Sequence, residues 1–148
     1  MGWSHADSGR RQGSYTGPVI VALHLATGAA AGALLGSRRA ALVAGPFLHL
    51  AGDLMPHWDI GSKRFEKLSG IAVLAALAAS RGPLDPATVG AAAAEAPDLE
   101  HVLRLPRPGG RKLFPSHRFA GWHRPGGVST GAQLLAAGVL LGLLLRRR

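Results

Sequence analysis

The residues able to do chemistry fall into three short groups. His24, Gly28, Gly32 and Gly36 recur every fourth residue, and so do Ala41, Gly45, His49, Asp53 and His57. On a helix a fourth-residue repeat is a single face, so the three glycines of the first stripe clear room for a neighbouring helix. The His49 to Asp53 step presents two ligand-type side chains together, the HxxxD spacing that helical zinc sites use. Pro56 interrupts the stripe before its last member, His57. The second group, Pro97, Asp98, Leu99, Glu100 and His101, sets an acid and an imidazole one helical turn apart, although Asp98 and Glu100 would equally suit the dipole at a helix start. An earlier run, Pro56, His57, Trp58 and Asp59, has the same form of proline, ligand, bulky apolar residue and acid. The third group is a basic loop in which His117 precedes Arg118 and His123 precedes Arg124. Neutral imidazole binds metal and a nearby guanidinium clamps phosphate or carboxylate, so this loop suits an anionic substrate.

Taken singly, each group has a plainer reading: a structural hydrogen bond between His49 and Asp53, a helix-start charge at Asp98, a solvated basic loop around His117. The concentration favours more. Six of the seven histidines lie in these groups, and Asp53, Asp59, Asp98 and Glu100, with Glu95 beside them, account for five of the eight acids. An acid in an apolar bundle is costly unless paired, and a shared cation is the simplest partner for carboxylates among imidazoles.

The elements that would position these residues are helices. The chain of 148 residues is 47% hydrophobic with 21 glycines but only 5% aromatic, so close packing must come from Ala, Gly and Leu. That composition is common among membrane bundles. The absence of cysteine excludes disulfides, zinc-thiolate sites and thiol catalysis. A formal charge of +9 fits nucleic acid or an anionic membrane surface. The bases flank apolar runs, as Arg146, Arg147 and Arg148 do, which favours membrane lipid; no helix-turn-helix or finger pattern supports nucleic acid as a partner.

Residues 1–17, rich in Gly, Ser and Arg, read as a disordered leader, and 18–148 as a single domain. The first helix covers 18–36, roughly 28 Å at the helical rise and enough to cross a bilayer core once. The second runs from about Ala40 to Met55, joined through Ser37, Arg38 and Arg39 as an antiparallel hairpin. Equal counts back and forward from Arg38 reach His24 and Gly52, so His24 should lie level with His49 and Asp53. A third helix spans about Leu68 to Ser80 and a fourth about Pro86 to Ala96; both are short for spanning. Pro97 opens a turn that runs through Leu103. Residues 104–127 follow as a Pro, Gly and Arg loop, and a last helix runs from Thr130, with Gln133 at capping-box spacing, to Leu145. The expected fold is an all-α, membrane-associated bundle of about five helices with a basic loop before the last.

The segments HLATGAAAG, GDLMPHWD, APDLEH and SHRFAGWHR together resemble bacterial inner-membrane metal-dependent hydrolases, over about residues 22 to 145. In this likeness Asp98 and His101 match the acid and histidine of a PDxDH segment, with Glu100 in place of its second acid. His117 and Arg118 match the start of an HRGxTHS segment, with Phe119 in place of its glycine, and His49 and Asp53 match an HxxxD helix. Helical zinc phospholipase C and S1-type nucleases are similar in the HxxxD fragment alone. The resemblance implies a multi-pass protein of the inner membrane. His24, His49, Asp53, His57, Asp98, His101, His117 and His123 would hold one or two zinc or manganese ions, since imidazole with carboxylate suits those metals. A bound ion would lower the pKa of water toward neutrality, with Asp59 or Glu100 accepting the proton and Arg118 and Arg124 steadying negative charge on a phosphoester or lipid. The competing expectation is a non-catalytic integral membrane protein whose polar cluster holds helices together, and a third is a basic protein bound to DNA. If His49 and Asp53 are ligands, replacing either by Ala should lower metal content equally, and more than Glu66→Ala, because Glu66 reads as part of a charged link.

Overall fold

Short polar side chains start the helices. The computed structural model describes residues 20–58, 60–103, 105–119, 121–122 and 124–146, and among these the chain is all-helical, with no strand. Helix α1 (Val21–Leu35) ends at Gly36, whose left-handed φ of 61° lets its N–H return to the Gly32 carbonyl. Helix α2 (Arg38–Leu54) begins under Ser37, which accepts from the Ala40 N–H, and α3 (Lys63–Arg81) under Ser62, which accepts from Phe65. Asp85 caps α4 (Pro86–Glu95) through the Ala87 N–H. A 3-10 turn at Ala96–Asp98 leads into the single-turn α5 (Leu99–Val102); α6 (Pro115–Arg118) is also one turn, and α7 (Thr130–Leu145) closes the chain.

Three boundaries differ from the sequence reading. The charged run after Ser62 is the first turn of α3 rather than a link, because the Ser62 cap starts the helix five residues before Leu68. The stretch read as loop between Arg104 and Gly127 contains a 3-10 turn at Pro108–Gly110 and helix α6. Helix α7 is capped by Ser129, which accepts from Ala132, so Thr130 and Gln133 form no capping box. Gln133 instead turns inward and donates to the Trp58 and Val128 carbonyls.

Helix α1 is the centre of the bundle and touches α2, α3, α4 and α7. Of its glycine stripe, Gly28 and Gly32 face α4, not α2 as the hairpin suggested, and Gly36 meets no neighbour. A methyl group on Gly28 would strike the Gly90 carbonyl, and one on Gly32 the Pro86 carbonyl, so these backbones meet with no side chain between them. Gly45 makes the same approach from α2 to Ala93 of α4. Leu25, Ala29, Leu77, Ala87 and Ala91 fill the core beside this seam, and Ile20, Ala22, Ala26 and Ala137 pack a second cluster toward α7. Farther along, residues 56–58 are tied to 124–128: Trp58 N–H donates to Val128 O at 2.9 Å and Val128 N–H to Pro56 O at 2.9 Å. Gly127, at φ 70°, is required there because a Cβ would collide with Pro56.

The expectation of a multi-pass inner-membrane protein is corrected by the helices themselves. Among the described residues no helix is long and apolar enough to cross a membrane. Helices α1, α2 and α7 have 15, 17 and 16 residues, about 22 to 26 Å at the helical rise against a hydrocarbon core of about 30 Å. Helix α3 has 19 residues but carries Lys63, Arg64, Glu66, Lys67 and Arg81. Within these runs Gly28, Gly32 and Gly45 serve helix–helix contact, while Leu34, Leu135, Val139 and Leu143 stay exposed.

Candidate metal centre

The antiparallel course of α1 and α2 sets His24, one turn into α1, beside His49 and Asp53, in the last turns of α2. The two imidazoles stack with centroids 4.1 Å apart. His24 Nε2 lies 3.3 Å from Asp53 Oδ1, and His49 Nε2 lies 3.2 Å from Asp53 Oδ2. The Gly45 contact with α4 then carries the 3-10 turn after Glu95 to the same point, where Asp98 Oδ1 is 3.6 Å from His49 Nε2. Helix α6 brings His117 from the other side, its Nε2 3.2 Å from Asp98 Oδ1 and 3.5 Å from Asp53 Oδ2. His101 of α5 completes the group, with Nε2 3.8 Å from Asp98 Oδ1.

The rings are held from behind. His49 Nδ1 donates to the Ala94 carbonyl at 2.7 Å, which is free to accept because the last carbonyls of a helix such as α4 lack partners inside it. His117 Nδ1 donates to Glu100 Oε1 at 2.5 Å, while the same carboxylate accepts from the Leu113 N–H at 2.7 Å and the Phe114 N–H at 3.4 Å. Ser116 Oγ donates to Asp53 Oδ2 at 2.5 Å. With Nδ1 bonded outward, the Nε2 of both His49 and His117 faces the carboxylates; on His117, raised to about 9, that nitrogen holds a proton at neutral pH, which a metal ion would displace, and the ring orientation is the one in which histidine binds metal.

Burial makes this arrangement demanding. His49 and Asp53 are fully buried, and His24, Asp98 and Glu100 nearly so. Burial alone would raise the Asp53 carboxyl, but bonds to His117, His24 and His49 outweigh it and hold the group far below the usual carboxylate range. Asp98 is also lowered, against burial, by its bond to His117 and the charge of His49. Burial lowers His24, whereas in His117 bonds to Asp53, Asp98 and Glu100 overcome burial and raise the ring to about 9. His24 Nε2, Asp53 Oδ1 and both Asp98 oxygens are buried and make no hydrogen bond beyond the imidazole–carboxylate contacts of the cluster itself. A buried orphan of this kind ordinarily costs about 1–3 kcal/mol. Ionised carboxylates and inward lone pairs at these separations are what a divalent cation would satisfy, and three overlapping triads have donor atoms mutually within 4.8 Å: His24, His49 and Asp98; His49, Asp53 and His117; Asp98, His101 and His117. These buried groups could hold a metal ion.

Six of the residues singled out from the sequence therefore meet: His24, His49, Asp53, Asp98, His101 and His117. His57 belongs to none of the triads. Helix α2 ends at Leu54 and Met55 is extended, so the fourth-residue stripe stops at Asp53; His57 is buried elsewhere, with Nδ1 bonded to the Met55 carbonyl at 2.5 Å. Glu100 holds His117 and two backbone N–H groups rather than facing the cluster's centre. Arg118 and Arg124 are exposed, the first stacked over the Phe119 ring at 5.7 Å and the second donating to Gly121 O at 2.9 Å. Asp59 and His123 lie outside the described residues, as does the leader. Sequence reasoning missed Ser116 and Lys112 as members of the site and counted Glu95 only as a neighbour of the second group. Lys112 Nζ lies 3.0 Å from His101 Nδ1. Burial, then the charges of Asp98, Glu66 and Asp53, pushes Glu95 up to about 9. Glu66 accepts from the Val21 N–H at 2.9 Å, so it caps α1 and is not the remote control residue it first seemed.

Fold and site together define a small helical bundle built around a buried imidazole–carboxylate cluster of metal-ligand type. No family model, curated protein or solved structure matches the chain.

Proposed function

We propose that the protein is a metal-dependent hydrolase whose centre is held by His24, His49, Asp53, Asp98 and His117. The observation that carries this reading is the convergence of buried donor atoms from α1, α2 and the turn after α4 on a point that is open on one side. His24 and Asp53 are sealed, yet the His101 side chain keeps 32% of its surface exposed. A purely structural site is closed all round, whereas a catalytic one leaves a position for water or substrate. A bound zinc or manganese ion supplies Lewis acidity and makes water a stronger acid.

The chain's own groups do the positioning. Ala94 and Glu100 fix the two rings, and Ser116 steadies Asp53. Lys112 sits beside His101, and Arg107 lies nearby, its Nη2 bonded to the Glu100 carbonyl at 3.0 Å. This cationic border suits an anionic substrate, and a phosphoester fits both the charge and the reaction class. The resemblance of the APDLEH and SHRFAGWHR segments to metal-dependent hydrolases supports the same class. A second reading, a structural cluster without turnover, is favoured by the short bonds that tie Ser116 to Asp53 and Glu100 to His117.

Zinc- or manganese-loaded protein should hydrolyse chromogenic phosphomonoesters or phosphodiesters above the metal-free rate. His49→Ala and Asp53→Asn should abolish both turnover and metal retention, while Asp85→Asn, at the far end of α4, should alter neither. Metal retention with no turnover on either ester class would leave the structural reading in place of the enzyme.

A further inference from the structure

We infer that the substrate is an amphiphilic phosphate ester, its phosphoryl group held by Lys112 and Arg107 at the open side of the cluster and its apolar alcohol lying on a leucine-rich collar around them. The inference rests on reading the cluster as a hydrolytic centre. The mouth is gathered by Glu100. Its side chain accepts from the Leu113 and Phe114 N–H groups, and its carbonyl accepts from Arg107 Nη2 at 3.0 Å. Residues 107–114 therefore fold back over α5 and set two basic side chains beside His101, the exposed ring of the cluster.

Neither base is matched by an acid. Among the described residues, Lys112 and Arg107 form no ion pair with a carboxylate. Lys112 Nζ stands 3.0 Å from His101 Nδ1 and 3.4 Å from Nε2, so it serves neither lone pair alone. Burial pushes this half-buried ammonium down, Glu100 steadies it and Arg107 opposes it. Like charges held together at such a mouth are costly until an anion joins them. A phosphoryl group suits the place, because it can present one oxygen to the cluster and others to Lys112 and Arg107.

The surroundings of the mouth are apolar. Leu99, Val102 and Leu103 stand at i, i+3 and i+4 and share one face of the single turn that also carries His101. The burial pattern of that turn is inverted: the acid, Glu100, is buried, while Leu99, Val102 and Leu103 are 47%, 59% and 49% exposed. Leu105 and Leu113 are exposed beside them. Single exposed leucines are ordinary, but five within residues 99–113 make a patch of the kind that marks a binding surface. The basic pair within this patch and its continuity with the cluster select the occupant, an anionic head with a hydrocarbon tail.

The test is the affinity of the zinc-loaded full chain for inorganic phosphate, ethylphosphonate and octylphosphonate, measured by calorimetry below the concentration at which octylphosphonate forms micelles. The carbon–phosphorus bond keeps both phosphonates intact during the titration. Octylphosphonate should bind on the order of tenfold more tightly than ethylphosphonate, since a fully buried methylene is worth about fourfold and the collar is open to solvent on one side. Val102→Ser combined with Leu103→Ser should erase that preference and leave inorganic phosphate binding unchanged. Lys112→Met should weaken all three ligands about tenfold with zinc retention unaltered. Equal affinity for the two phosphonates, in protein that retains zinc and cleaves phosphoesters, overturns the collar and leaves the hydrolase standing. A wild-type dimer that becomes a monomer in the doubly substituted chain makes the leucines a subunit interface and overturns the proposal too. Protein that retains no zinc overturns both readings.

Discussion

At the scale of single residues, the unusual group is Glu100. From sequence it is a candidate proton acceptor; in the fold its oxygens hold His117 and the N–H groups of Leu113 and Phe114. Glu100→Gln keeps the shape but removes the charge behind His117, so the His117 ring should fall from about 9 toward its ordinary 6.5. That shift is readable by NMR titration of the metal-free protein, and metal affinity should drop about 10- to 100-fold alongside it. An unmoved His117 titration would show that Glu100 only braces the loop. Glu95 gives the pH dependence. Its carboxyl is raised from 4.5 to about 9 by burial and by neighbouring acids. The folded state therefore holds a proton that the unfolded chain releases near 4.5. The stability tied to that proton is complete below this value and is lost as pH rises through about 9. His117, raised from 6.5 to about 9, acts in the same direction over the upper part of that window. Above pH 7, where the lowered His24 and His101 no longer oppose the trend, metal-free protein should thus lose stability up to pH 9 in denaturant melts, and Glu95→Gln, which keeps the uncharged form, should flatten the slope and raise the midpoint at pH 8.

At the scale of elements, the seam between α1 and α4 decides whether the site assembles. Gly28 and Gly90 let two backbones touch, and the end of α4 carries both Ala94 and Asp98 to His49. Gly90→Ala places a methyl group against the Gly28 carbonyl. The expected cost is about 1–3 kcal/mol, seen as a lower thermal midpoint, together with weaker metal binding because Asp98 moves with α4. Equal metal affinity in a destabilised Gly90→Ala would mean the seam and the site are independent. Much of this was legible in the chain: the fourth-residue spacing of His24 and Gly28, and of His49 and Asp53, identified helix faces correctly. Their partner was not legible, because glycines advertise close approach without naming what approaches. The same limit hid α6. A four-residue helix leaves no periodicity to detect, so Ser116 and His117 read as loop.

At the scale of the molecule, a bound ion should be worth more to this fold than to most. It would neutralise buried orphans that are otherwise a standing cost, and anything that binds only the folded state stabilises it, by about 2.7 kcal/mol at a hundredfold excess over Kd. Stripping metal with a chelator should therefore lower the thermal midpoint by several degrees, and zinc or manganese should restore it. A midpoint indifferent to both would place the stability entirely in the Ala, Gly and Leu packing.

The sequence by itself determined the all-helical class, through small-residue composition and fourth-residue stripes, and it pointed to the imidazoles and carboxylates that matter. Local physics suffices for that, since helix faces, caps and ligand chemistry are properties of near neighbours in the chain. The hairpin count already set His24 level with His49 and Asp53; that Asp98, His101 and His117 join them was decided by tertiary structure. His24, Asp98 and His117 stand far apart in the chain, and only the packing of α1 against α2 and α4, with α6 folded over them, sets them within a few ångströms. The end of the stripe at Leu54, which removes His57, and the length of each helix against a bilayer were decided there as well. Both depend on where a helix stops, and that is settled by caps and packing rather than by the hydrophobicity of the run.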